Sequence, residues 1–215
     1  MSDYPISSPL FNIASAIAGP VVVIVGRLIS LAQSVLRLQA PAKRVEGNEK
    51  RVLERVFENS LAIDKIRLIE GRSGIFGVND RAFTLGNTIY LKGQKASERP
   101  DLLVHECVHV WQYQHIGARY TTDALGAQQF VEEPYNWQRE IQRGHENWVE
   151  FNKESQAQFL QDLYNHGELV IDGTTTTRGS GAFYDADGEG KIGRFVFNGT
   201  DHTELANDAV SAVRG

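Results

Sequence analysis

The chain has 215 residues, 41% of them hydrophobic and 23% charged, which suits one globular domain with extensions. Its net charge of −5 gives no electrostatic support to nucleic-acid binding, so no nucleic-acid partner is expected. One cysteine, Cys107, rules out an intrachain disulfide framework and reads as a small core residue.

Residues 4–26 carry no charge, and the stretch 10–26 (LFNIASAIAGPVVVIVG) is strongly apolar; after Arg27 the apolar pattern resumes to Leu36. Pro20, Gly19, Ser15 and Asn12 interrupt it, so it is marginal as a membrane span. Asp3 is the only early charge, so the basic start of a signal peptide is missing. The expectation is a protein made in the cytoplasm without a classical signal peptide. Its residues 4–36 would dock on the domain or a partner, with membrane contact as the other reading. Residues 38–49 read as a linker closing an N-terminal unit, 1–46.

The main domain is expected over 47–167. Residues 48–60 predict an amphipathic helix with Val52, Leu53, Val56 and Phe57 on one face. Residues 66–70 predict a strand, and the glycine-bearing 71–79 a loop without the residues of a phosphate cradle. Around Gly86-Asn87, residues 82–91 predict a β-hairpin. An exposed edge there could hold an extended peptide by main-chain hydrogen bonds.

Residues 97–117 predict a helix capped by Ser97 and closed by Gly117. It carries His105-Glu106-x-x-His109. Residues four apart share a helix face, so both imidazoles can address one metal ion. Glu106 can reach a metal-bound water as general base without being a ligand. The helix is apolar nearly all round and should be buried, and two buried histidines with a buried glutamate are costly unless paired or bound to metal. Zinc is the expected cofactor.

Further helices are predicted over 120–130, 137–143 and 152–166, the last capped by Asn152. Residues 168–215, rich in Gly, Thr and Asp, predict a loosely packed C-terminal extension with one hairpin. Its Asp185-x-Asp187-x-Glu189 run lacks the closing glutamate of a calcium loop.

A catalytic zinc takes three protein ligands. His115 has the spacing of the metzincin pattern, but Gln112 stands where that pattern needs a helix-breaking glycine, which turns His115 away. A carboxylate from a later helix is the alternative: Glu154, Glu150, Glu146 or Asp162, with Glu154 favoured beside small Ala157, and His145 a remote option. Tyr113, Tyr120 and Tyr135 are candidates to stabilise an oxyanion, the last two near predicted loops.

Several motifs resemble those of the small bacterial zincin-like metallopeptidases called vgr-related proteins, and of the related core domain of contractile injection systems. They are Val56-Phe57, Ile66-Arg67-Leu68, Ile89-Tyr90, Leu102 to Gln112, and Phe151-Asn152-x-Glu154-x-x-Ala157 with Asp162. The resemblance spans roughly residues 50–165. It implies an α+β, mainly helical zincin-like fold with a small antiparallel β element. It also implies Glu154 as third ligand beside His105 and His109. The expected function is zinc-dependent peptide hydrolysis with Glu106 as base and Tyr120 or Tyr135 assisting. The partners would be a peptide or protein substrate and a secretion-apparatus or immunity protein, with export by a contractile system. The rival expectations are a zinc-binding protein without turnover, and an effector acting through residues 4–36.

Overall fold

The structure, a computed structural model, describes residues 20–30, 32, 39–74, 81–117 and 133–215. It is α+β. The helix predicted over 120–130, and residues 4–19 of the apolar run, lie outside the described residues.

Residues 20–30 form helix α1. Val23 is buried in a small cluster with Ile69, Leu85 and Tyr90. Gly26 lets the helix approach the hairpin, for a Cβ there would stand 2.2 Å from Leu85 Cδ2. Its other faces expose Val21, Val22, Ile24, Val25 and Leu28. Among the described residues no helix is long and apolar enough to cross a membrane.

Strand β1 (Lys43–Arg44) corrects the linker reading. It pairs antiparallel with β2 (Arg67–Ile69). Lys43 Nζ holds it down, reaching Glu49 at 2.8 Å and Glu70 at 2.9 Å. Helix α2 (Gly47–Phe57) buries Val52, Leu53, Val56 and Phe57, the stripe its periodicity predicts. β3 (Phe83–Leu85) and β4 (Thr88–Tyr90) form the expected hairpin, with Gly86 at φ +62. β4 also pairs in parallel with β2, which makes the sheet mixed, in the order β1-β2-β4-β3. Among the described residues β3 therefore lies at the edge of the sheet.

Helix α3 (Pro100–Ile116) starts two residues later than Ser97 capping would have it. Pro100 disfavours helical backbone at the residue before it, and Arg99 sits at φ −130, ψ 65 with no side-chain cap. Its residues 103–110 are all buried. Helices α4 (Trp137–Gln142) and α5 (Lys153–His166) follow. α5 begins as predicted: Asn152 Oδ1 accepts from the backbone N–H groups of Glu154 and Ser155, both at 3.0 Å. Asp101, in the first turn of α3, accepts from Arg99 Nη2 at 2.9 Å and from Gln161 Nε2 of α5 at 2.8 Å. This bond ties the two helices together.

The C-terminal residues are not loosely packed. β5 (Glu168–Ile171), β6 (Thr175–Arg178) and β7 (Lys191–Arg194) form an antiparallel sheet in the order β6-β5-β7. A two-stranded ribbon, β8 (Val196–Phe197) with β9 (Thr200–Asp201), leads into helix α6 (Thr203–Arg214), which packs on α2. Phe195, Ala206, Ala209 and Val213 belong to the same apolar core as α2, α3 and α5. The density of Gly, Thr and Asp hid this, because small alanines at helical spacing give a weak apolar signal.

Truncating Phe195, fully buried against Trp137 and Phe159, to alanine should cost about 3–5 kcal/mol in chemical denaturation. Burial works against the Asp101 carboxylate, but the Arg99 and Gln161 bonds prevail and hold its pKa at about 2. A depressed carboxylate stabilises the fold above its unfolded pKa, and that contribution is lost as pH falls towards 2. Asp101→Asn should therefore lower unfolding free energy by about 1–2 kcal/mol near neutrality. Its deficit against wild type should shrink below pH 4.

Candidate metal centre

α3 and α5 pack face to face, and the contact brings His105, His109 and Glu154 together, all buried. One ligand-capable atom from each lies within 4.8 Å of the others. Glu154 Oε2 is 3.3 Å from His109 Nε2 and 3.6 Å from His105 Nε2. A charge-assisted hydrogen bond would be roughly 2.7–2.9 Å. Donors around a tetrahedral ion with bonds of about 2.0–2.2 Å stand roughly 3.3–3.6 Å apart. The spacing and the donor set both fit a bound metal ion.

His109 is the better anchored imidazole. Its Nδ1 lies 2.9 Å from Gln112 Oε1. Gln112 Nε2 donates to Gln156 Oε1 at 2.9 Å and to the carbonyl of Lys153 at 3.2 Å. The amide of Gln112 thus spends its donors on α5, and its oxygen receives the proton of Nδ1. This turns Nε2 towards Glu154. Gln156 in turn donates to the carbonyls of Trp148 and Val149. His105 Nδ1 is buried with no hydrogen-bond partner among the described residues. Sequence reasoning took Gln112 only as a residue that continues the helix. A glutamine one turn beyond a ligand, on the buried face, is the signal it passed over.

Glu154 is held by the start of its own helix. Asn152, the cap, receives support from Glu140, whose fully buried carboxylate accepts from Asn152 Nδ2 at 3.1 Å and its backbone N–H at 3.3 Å. Arg143 at 2.5 Å and His145 at 2.9 Å complete that cluster. His145 is thereby occupied away from the centre. Ser155 Oγ donates to the Pro134 carbonyl at 2.9 Å, which steadies the residue before Tyr135.

Glu106 is buried next to this group, and Thr84 Oγ1 of the edge strand donates to its Oε2 at 2.8 Å. Burial raises its pKa, against the opposing pull of His105 and His109 and the Thr84 bond. The His109–Glu154 pair behaves oppositely. Burial would lower the His109 pKa, but the charge of Glu154 outweighs it and lifts the value to about 9. Burial likewise penalises ionised Glu154, yet His109 and His105 hold its pKa far below the ordinary range.

The remaining sequence candidates separate clearly. The Tyr135 ring stacks 6.2 Å from that of His105, with the Arg81 guanidinium 5.2 Å from its centre. Its pKa is raised by burial and by Glu154, with Arg81 opposing, so its phenol keeps its proton. Tyr120 lies outside the described residues. Tyr113 packs on the α1–hairpin cluster instead. His115 is exposed, bonded through Nδ1 to the Trp111 carbonyl at 2.9 Å, and does not join the centre. Glu150 caps the turn at Glu146 and Asn147. Asp162 accepts from the Trp137 indole at 2.8 Å.

Below its raised pKa of about 9, metal-free His109 carries a proton that ligation must displace. Divalent-metal binding near pH 7.5 should therefore release about one proton, read by calorimetry in buffers of different ionisation enthalpy. Apparent affinity should rise up to about pH 9 and then level off. Gln112→Leu should weaken binding by roughly 10–100-fold while the fold persists, and His115→Ala should leave it unchanged.

A family model described as the eCIS core domain matches residues 46–117, about a third of the chain. It takes in α2, the mixed sheet and α3 with His105, Glu106 and His109, and it ties this segment to contractile injection systems. Glu154 lies outside the matched residues. No curated protein and no solved structure matches the chain.

Proposed function

We propose that this chain is a small zincin-like peptidase associated with a contractile secretion system, which hydrolyses peptide bonds with zinc at His105, His109 and Glu154. The observation that carries the reading is the buried His-His-carboxylate group with a second carboxylate, Glu106, beside it. A zinc ion supplies Lewis acidity, lowering the pKa of a water and polarising a carbonyl. Glu106 accepts the proton of the attacking water as the carbon–oxygen bond forms. It returns that proton to the amine as the carbon–nitrogen bond breaks. Thr84 keeps Oε2 of Glu106 oriented. The Tyr135 phenol, protonated beside His105, serves as donor to the developing oxyanion. Through the Thr84–Glu106 bond, β3 flanks the base and would run alongside a peptide held at the centre.

A second reading keeps the metal and drops the turnover, making the centre a structural clamp in an injection-system component. The eCIS core match over α2–α3 favours it. Glu106→Gln separates the two. Under the peptidase reading, cleavage of a mixed peptide pool should fall by roughly 10²–10⁴-fold at unchanged zinc content. A wild-type protein with full zinc and no cleavage above the Glu106→Gln level would leave the clamp standing.

A further inference from the structure

Beside the metal centre lies a cleft of about 440 Å³ that the site described so far does not use. Tyr135, Trp137 and Phe197 give it aromatic walls, and Glu133, Gln158 and Asp162 add polar groups. The surface these residues present to the cleft is mostly carbon.

Two features join the cleft to the centre. Tyr135 borders both, lining the cleft and stacking on His105. Gln158 and Asp162 follow Glu154 at one-turn intervals along α5, so the face that presents the carboxylate runs on into the cleft. Four residues of helix advance about 6 Å, the reach of one amino-acid side chain from its backbone.

The charged groups at the cleft are already engaged. Glu133 accepts from Arg139 at 2.9 and 3.0 Å and from Asn136 at 2.8 Å. Asp162 receives the Trp137 indole N–H at 2.8 Å on one oxygen and Gln158 Nε2 at 2.9 Å on the other. Neither needs a cation from outside, and both repel an anion. We propose that this cleft is a specificity subsite for a bulky apolar side chain, aromatic or long aliphatic, of a peptide lying across the His105–His109–Glu154 centre. The peptide-substrate part rests on the hydrolytic reading above; the cleft's choice of side chain does not.

The test is binding, followed by the Trp137 indole N–H resonance, with zinc-loaded wild type and three blocked amides: N-acetyl-phenylalanine, -alanine and -aspartate amide. The phenylalanine compound should shift that resonance at concentrations at least about tenfold lower than the alanine one, and the aspartate compound should not shift it. Gln158→Trp, which fills the cleft from a half-buried position on α5, should abolish the phenylalanine response while zinc content and circular dichroism stay at wild type. Equal responses to the three amides, or a phenylalanine response that survives Gln158→Trp, would overturn the subsite. Selective binding without cleavage of a phenylalanine-bearing peptide would remove the hydrolytic reading and leave the subsite intact. Cleavage without side-chain preference would do the reverse.

Discussion

A carboxylate closed between two imidazoles, away from water, governs how this molecule is put together. Burying Glu154 beside His105 and His109 costs desolvation on every group, and only their mutual attraction or a shared cation offsets it. That demand explains why α3 and α5 must pack face to face and why so many neighbouring polar groups are matched. The Asp101–Gln161 bond sets the helices' relative register near one end. Gln112 and Gln156 bridge them beside the imidazoles. Asn152, gripped by Glu140, fixes where α5 begins and so where its second residue points.

The same constraint divides the labour between the two carboxylates. Glu154 faces the imidazoles directly and stays ionised. Glu106, one residue from a ligand on the neighbouring helix face, meets a threonine hydroxyl from the sheet, and there burial outweighs the pull of the two imidazoles. Two groups of one chemistry thus acquire opposite tendencies from their surroundings, the usual way a fold separates a ligand from a base.

How much of this could be read beforehand depends on the range of each interaction. His105, Glu106 and His109 were legible because their relation is local, set by one helix turn. The cap of α5 was legible for the same reason. Glu154 was favoured over Glu150 and Asp162 for the small Ala157 beside it, and the resemblance then made it the expected ligand, since spacing alone cannot say which helix docks on which. The local links of Gln112 to His109 and of Glu140 to Arg143 were passed over because a polar residue at a buried position announces itself only when burial is known, whereas the Gln112–Gln156 and Thr84–Glu106 bonds were invisible because they join residues distant in the chain. The parallel pairing of β2 with β4 and the docking of α6 failed to appear for that reason also. Pro100 was a local signal, and its effect on the residue before it outweighed the attraction of Ser97 as a cap.

The order of the donors along the chain has a topological consequence. His105 and His109 sit on one helix, while Glu154 comes from a segment well beyond them, with α4 and a long connection between. An ion held by all three closes that whole stretch into a loop. In a chain with a single cysteine no disulfide can make such a closure. The ion then takes the part of a covalent staple, restricting the unfolded chain by an entropy that grows slowly with loop length, and it can be inserted or withdrawn under conditions where a sulfur bridge would stay shut.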